Sequence, residues 1–408
     1  MTGRPLLRHR RDDAGFTMVE LLVSSLIMLV VTGAVFSLLN PAHGTFQVQP
    51  EVSDLQQRLR VGIDTLQKDL VMAGAGTYNG ESAGALSYFI APVMPYHAFG
   101  DTTDPELGTF FRTDAISLIY VPPTPSQTTI SQQMPPKSAE IKVNAQPNCP
   151  PKKGFELCGF SQGDQAIIFD ENGNWDFFVI TQIQDEAVHM QHREQDFSVG
   201  YAANSALTQV YAVTYYLKAD DATKTYQLMY FDGWNTDLPV VDNVVDLRFQ
   251  YFGDPNPAEL TGKPLTKKPG PWTTYGPPPP QLGVVRGTWP AGENCVFAVD
   301  DGVQMTRLAT LAAGEALVPL TSGILSDGPW CPDAASTYRF DADLFRVRRI
   351  DVLVRVQASM PRFRGMNPLM FANPGTARAP LWLVPDQEVR LSVTPRNLRA
   401  VNVRSGTP

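Results

Sequence analysis

Residues 1–39 constrain this chain more than any other stretch. A short leader carrying Arg4, Arg8, Arg10 and Arg11 ends in Gly15-Phe16-Thr17-Met18-Val19-Glu20, and an apolar run continues to Leu39, broken only by Gly33 and small hydroxyl residues. Such a run is long enough to cross the hydrocarbon core of a bilayer as one helix. A lone acid, Glu20, sits inside it. Ionisable residues at the centre of a membrane helix cost ~2.5–3.5 kcal/mol on insertion scales, so a carboxylate kept there calls for a functional reason. The arginines hold the near end on the cytoplasmic side, by the positive-inside rule. Two plainer readings fit less well. A secretory signal peptide has a shorter apolar core and a small-residue cleavage site beyond it. Thr32-Gly33-Ala34 offers small residues, yet Val35-Phe36 carries the apolar run through them. An ordinary single-span anchor accounts for the length but predicts neither Gly15-Phe16 nor Glu20.

This N-terminal block resembles the class III signal of type IV prepilins. The resemblance implies that a prepilin peptidase cuts between Gly15 and Phe16 and methylates the new N-terminal Phe16. Glu20 then lies in the first turn of the mature helix, where the macrodipole favours an anion. The resemblance further implies an assembly salt bridge from Glu20 to the terminal amine of a neighbouring subunit. An unpaired charge in such a dry seam is costly, so the pair selects register. Asp12-Asp13-Ala14 precede Gly15 where the family commonly carries basic residues, which bears on how efficiently the leader is removed.

With 408 residues, 43% hydrophobic and 18% charged, the rest of the chain is a folded head rather than a disordered tail. The formal charge of −8 argues against nucleic acid as a partner. From Arg339 onward, however, twelve Arg face five acids, a net of +7, expected on the solvated outer face of strands. Four cysteines fall in two local pairs, Cys149 with Cys158 and Cys295 with Cys331. Both lie beyond the span, on the side assigned to the periplasm, where disulfides persist. Metal is not expected: there is no CxxC spacing, and the five His are scattered.

The span, residues 16–40, is expected to end where Pro41, Gly44 and Pro50 oppose a helix. A second, amphipathic helix follows over 51–74. Val52, Leu55, Leu59, Ile63, Leu66 and Leu70 recur at steps of three and four, with Asp54, Gln57, Arg58, Asp64, Gln67 and Lys68 opposite. Ser53 with Gln56 forms a candidate capping box, and Gly74 a stop. The stretch 55–74 is similar to the second helix of PilW-type minor pilins and of J-type pseudopilins of type II secretion. Beyond it the period becomes two. Residues 165–170 and 176–184 flank Glu171-Asn172-Gly173-Asn174, a hairpin signal. Residues 208–217 and 224–231 pair next. In 241–252, Val245, Leu247, Phe249 and Tyr251 face inward; in 346–357, Ile350, Val352, Val354 and Val356; in 389–397, Val389, Leu391 and Val393. These last three runs also resemble the later strands of PilW-type proteins. Two Pro-rich stretches, 121–153 and 253–282, cannot join a central sheet. The second holds nine Pro, four of them in Pro277-Pro278-Pro279-Pro280. Cys295 and Cys331 bracket a subdomain, 284–335, with Trp289 and Trp330, inserted into a β-rich head spanning 75–408.

Three motifs imitate chemistry. Gly159-Phe160-Ser161-Gln162-Gly163 matches a nucleophile elbow but lacks the strand before it and the helix after it. Asp170, Asn172, Asn174 and Asp176 have calcium-loop spacing, yet Trp175 stands where the loop needs Gly and Thr181 where it needs Glu. His189 and His192 have no third ligand near them in sequence. The expectation is an α+β, pilin-like chain without catalytic residues or cofactor. It is anchored by one pass in the inner membrane with a periplasmic head. Its partners are prepilin peptidase, other minor and major pilins or pseudopilins, and an inner-membrane assembly platform. A priming or tip position in a filament suits its bulky head. The alternative is a single-span adhesin or receptor that never polymerises.

Overall fold

The computed structural model describes residues 15–76, 86, 90–95, 111–123, 126–146, 149–170, 174–192, 196–220, 222, 225–233, 236–256, 289–314, 316–331, 340–364 and 384–399. The leader before Gly15 and nearly all of the Pro-rich 253–282 stretch lie outside them. The chain opens with one helix, α1, Met18–Met72, 55 residues long. The break expected between residues 40 and 51 does not occur: the helix passes through Pro41, Gly44 and Pro50. Each proline removes one backbone donor, but a helix already formed on both sides needs no second costly nucleus. Tertiary contacts also hold the turn at Pro50, because Val48 and Val52 pack against the core on either side of it. Ser53 and Gln56 are therefore interior positions, and the capping box lies at Thr17 and Glu20 instead. The C-terminal end falls where Gly74 predicts. The Ala73 amide closes the last turn on Asp69 at 3.0 Å, and Gly74 takes φ +72°.

The helix lies on an eight-stranded antiparallel sheet. Its strands are β1 (Val93–Met94), β2 (Ala115–Tyr120), β3 (Tyr211–Asp220), β4 (Thr225–Phe231), β5 (Asp237–Gly253), β6 (Val318–Leu320), β7 (Val347–Val356) and β8 (Gln387–Val393). They run in the order β1-β2-β3-β4-β5-β7-β8, with β6 added to β5. The apolar stripe of α1 meets this sheet: Leu55, Leu59, Leu66 and Leu70 are buried, and Val52 and Ile63 pack beside them. Helix and sheet come close at Gly62, where a Cβ would sit 2.4 Å from Val241 Cγ2.

Several expectations shift by a residue or an element. In β5 the inward residue is Val244, not Val245, because a bulge between Val244 and Asp246, next to Asn243 at φ +59°, inverts the alternation. The last strand stops at Val393, and Arg396–Arg399 forms a short helix, α2. The arginines of the basic stretch from Arg339 onward are not all on an outer face: Arg362 and Arg390 are exposed, but three others are not. Arg346, Arg348 and Arg355 are buried. They pair with Asp343, with Asp254 at 2.9 Å and with Asp386 at 3.2 Å respectively. Guanidinium groups tolerate burial when their fork of donors is matched by carboxylates and carbonyls.

Between β2 and β3 the chain builds an insert with its own core of Ile130, Ile141, Leu157, Ile168, Phe178, Met190 and neighbours. The Pro-rich 121–153 stretch supplies two of its strands, Gln127–Thr129 and Glu140–Lys142. The expected 176–184 strand splits into Trp175–Val179 and Gln182–Gln184, and the expected 208–217 strand splits at Val210. At the first split the chain passes from one small sheet to another, and at Val210 it passes from a small sheet into the eight-stranded one. His189 lies in the strand His189–Gln191. The insert departs just beyond the contacts of Gly74 with the Ile119 carbonyl and of Val121 with the Ala75 carbonyl. It therefore leaves the sheet at the end of α1 remote from the span.

Candidate functional site

Thr17 caps α1 with extended backbone, and its hydroxyl accepts the Glu20 amide at 3.2 Å. In return the Glu20 carboxylate accepts the Thr17 amide and the Thr17 hydroxyl, each at 2.9 Å and each on Oε2. This reciprocal box satisfies two of the donors that every helix start leaves open. Phe16, immediately before it, is 87% exposed.

Met18–Ser37 follows as a 20-residue segment of mean hydropathy 2.3, none of it buried within the chain. Its serine hydroxyls are satisfied internally: Ser24 and Ser25 donate to the Leu21 carbonyl and Ser37 to that of Ala34. Hydroxyls bonded to the preceding turn can sit in lipid without outside partners. The segment is built to be covered by something other than its own head.

Two buried acids on α1, neither singled out by the sequence, fix the head to it. Glu51 accepts the Ser359 amide, the Ser359 hydroxyl at 2.6 Å and the Met360 amide at 3.3 Å, just after β7. Asp69 accepts the Tyr215 hydroxyl at 2.6 Å and that of Tyr120 at 3.1 Å. Burial, then the Asp69 charge, pushes both phenols well above the usual tyrosine range. The available signal was an acid at Asp69 directly between the apolar Leu66 and Leu70. The deep Arg346 instead ties the head to itself: it is fully buried against Asp343 and donates to the Pro255 carbonyl at 3.1 Å.

Both cysteine pairs are joined, Cys149 to Cys158 and Cys295 to Cys331, with Cα separations of 5.6 and 4.9 Å. The second bond is buried, and its segment is stitched into the head: β6 pairs with β5, and Phe297, Leu308 and Leu325 join the main core. Arg307 stacks on Trp289 at 4.5 Å. Gly159 and Gly163 both take positive φ in a turn where Ser161 is exposed and its amide donates to Asp164 at 2.7 Å. Asp170 and Asp176 diverge. Asp170 accepts from Asn174, whereas Asp176 is buried and accepts Ser198, through amide and hydroxyl, and the Tyr201 hydroxyl at 2.7 Å. Burial raises Asp176 to about 6 despite those bonds. His192 lies between Phe178 and Phe197, while His189 pairs with Glu140 at 2.7 Å. One acidic trio, Asp327, Asp341 and Asp343, converges elsewhere. Its two buried members are in use: Asp341 accepts the Gly328 and Asp343 amides, and Asp343 pairs with Arg346.

No curated protein and no solved structure matches the chain. A family model described as the prokaryotic N-terminal methylation motif matches residues 10–36. That match takes in Gly15, Phe16 and the Thr17–Glu20 box. Together with the exposed apolar helix and the antiparallel sheet behind it, it supports a type IV pilin-like protein of the kind a prepilin peptidase processes.

Proposed function

We propose that this chain is a minor pilin or pseudopilin, of the PilW type or the J type of type II secretion. In this reading it is cleaved between Gly15 and Phe16 and N-methylated on Phe16. It is then held in the inner membrane by the first half of α1, with its head in the periplasm. An assembly platform draws it out with other minor and major subunits into a filament. Its work is assembly, not catalysis. The observation that carries the reading is the Thr17–Glu20 box at the tip of a wholly exposed apolar helix. Both bonds to the Glu20 carboxylate use Oε2, so the other oxygen is offered to a donor from outside, such as the Phe16 amine of a neighbour. A charge-assisted bond of that kind gains strength in a dry seam. The insert beyond the end of α1 would crowd a densely repeated shaft, which favours a priming or tip position. The same insert, remote from the span, also suits a receptor that never polymerises.

Processing separates the two. Intact mass of the native protein should begin at a methylated Phe16, and Gly15→Arg should retain the leader. Glu20→Ala should still insert and be cleaved while filament formation or secretion falls. An uncleaved chain in cells with active prepilin peptidase, or full assembly with Glu20→Ala, would overturn the assembly reading and leave the receptor.

A further inference from the structure

We propose that Thr17 is a positioning residue for leader removal. Its capping box stops α1 short of the Gly15–Phe16 bond and keeps that bond open to a peptidase, against a competing helix start at Asp12-Asp13. The inference rests on the processing reading above and deepens it.

Hydrolysis of this bond needs an accessible carbonyl. Water adds to the Gly15 carbonyl carbon, the C–N bond breaks, and the Phe16 nitrogen takes up a proton and leaves as an amine. Inside an α-helix that carbonyl would be engaged by the amide four residues on, that of Val19. Here α1 begins only at Met18, and Gly15, Phe16 and Thr17 lie before it, all exposed. Thr17 has extended backbone, with ψ 151°. A Cβ built on Gly15 meets nothing within 4 Å, so this residue stands clear of the other described residues.

The box takes up the two amides that would carry the helix further upstream. In a longer helix the Glu20 amide bonds the Phe16 carbonyl, and the Thr17 amide bonds that of Asp13. Instead the Glu20 amide donates to the Thr17 hydroxyl at 3.2 Å, and the Thr17 amide to Glu20 Oε2 at 2.9 Å. The Leu21 amide then makes a regular helical bond to the Thr17 carbonyl at 3.1 Å. This sequence needs such a stop, because stronger capping residues stand just upstream. Aspartate ranks above threonine as an N-cap, and Asp12 and Asp13 precede Ala14. A helix started from Asp13 takes Ala14, Gly15 and Phe16 as its first three positions and encloses the scissile bond. Gly15 disfavours that longer helix, and the reciprocal box tips the balance to Thr17. Loss of the Thr17 hydroxyl moves the balance to the aspartates. Glu20→Ala leaves the amide-to-hydroxyl bond in place, in keeping with the cleavage expected of that variant.

The test is the rate of leader removal from the full precursor, pulse-labelled in cells with active prepilin peptidase. Thr17→Ala should slow cleavage about fivefold, the equivalent of the ~1 kcal/mol that a cap contributes. Thr17→Ser, which keeps the hydroxyl, should be cleaved at the native rate. Asp12→Ala combined with Asp13→Ala should bring the Thr17→Ala chain back to within about twofold of native, and should change the otherwise native chain by less than that. Native-rate cleavage of Thr17→Ala overturns the inference, because no stop is then needed. Slow cleavage of Thr17→Ser overturns it too, since the hydroxyl is then not what matters. So does a Thr17→Ala defect that the aspartate substitutions leave unchanged, or an equal acceleration by them in both backgrounds. A native chain that keeps its leader overturns the processing reading itself.

Discussion

Asp69 shows how a single carboxylate sets geometry. It sits in the last turn of α1, where the macrodipole disfavours an anion, and it is 5% exposed. Two phenol donors offset both costs. Asp69→Ala removes the acceptor of the buried Tyr215 hydroxyl and of the half-buried Tyr120 hydroxyl, so denaturant melts should show a loss of about 1–3 kcal/mol. A loss below that range would mean water reaches the site. Two other acids respond to pH. Burial raises Asp176 to about 6 and Asp341 to about 7. A carboxyl raised above its unfolded value binds more protons when folded, so its contribution is full at low pH and declines as pH rises from ~4 through the folded value. The melting temperature should therefore gain from Asp176 as pH falls from 7 to 5, and Asp176→Asn should remove that part of the slope. An unchanged slope would place the titration elsewhere. Glu20 was legible because it is the one acid in an apolar run. Asp69 was not, because its partners lie 51 and 146 residues away.

Periodicity made the elements legible, and tertiary contact decided where they end. The stripe from Val52 to Leu70 gave the helical face correctly, since its spacing alone dictates one buried side. The prolines misled, because local propensity predicts a break that Val48, Glu51 and Val52 hold closed from the head. Alternation found β3, β4, β5 and β7, but a period of two cannot show that the chain changes sheet at Val210 or bulges at Asn243. The close approach of α1 to the sheet at Gly62 yields a sharp prediction. Gly62→Ala gains about 0.8–1 kcal/mol of helix propensity, yet the new methyl meets Val241 Cγ2 at 2.4 Å. Valine on a strand is stiff at χ1, so α1 must lift, and overpacking costs typically 1–3 kcal/mol. The variant should be less stable by roughly 1 kcal/mol in chemical denaturation. A gain in stability would show that the helix shifts without loss.

At the scale of the whole molecule, the two larger cores among the described residues share one sheet. The hairpin of Gln165–Phe169 and Trp175–Val179 sends Ile168 and Phe178 into the insert, while Ile167, Trp175 and Phe177 join the main core. Trp175 reaches Phe340 at 6.5 Å, beside the Cys295–Cys331 segment. Each disulfide therefore guards a different region. Loop-closure entropy assigns ~2.6 kcal/mol to the nine-residue separation of Cys149–Cys158 and ~3.8 kcal/mol to the 36-residue separation of Cys295–Cys331. Serine at Cys149 and Cys158 should speed hydrogen exchange in Glu140–Lys142 and His189–Gln191, with little effect on β5 and β7. Serine at Cys295 and Cys331 should loosen β5, β6 and β7 and lower the melting temperature further. The shared hairpin sets the limit of this independence, because it cannot open without exposing side chains from both cores. Its exchange should follow whichever core is the more stable in each variant. Uniform acceleration across all strands in both variants would mean that the two cores unfold as one unit.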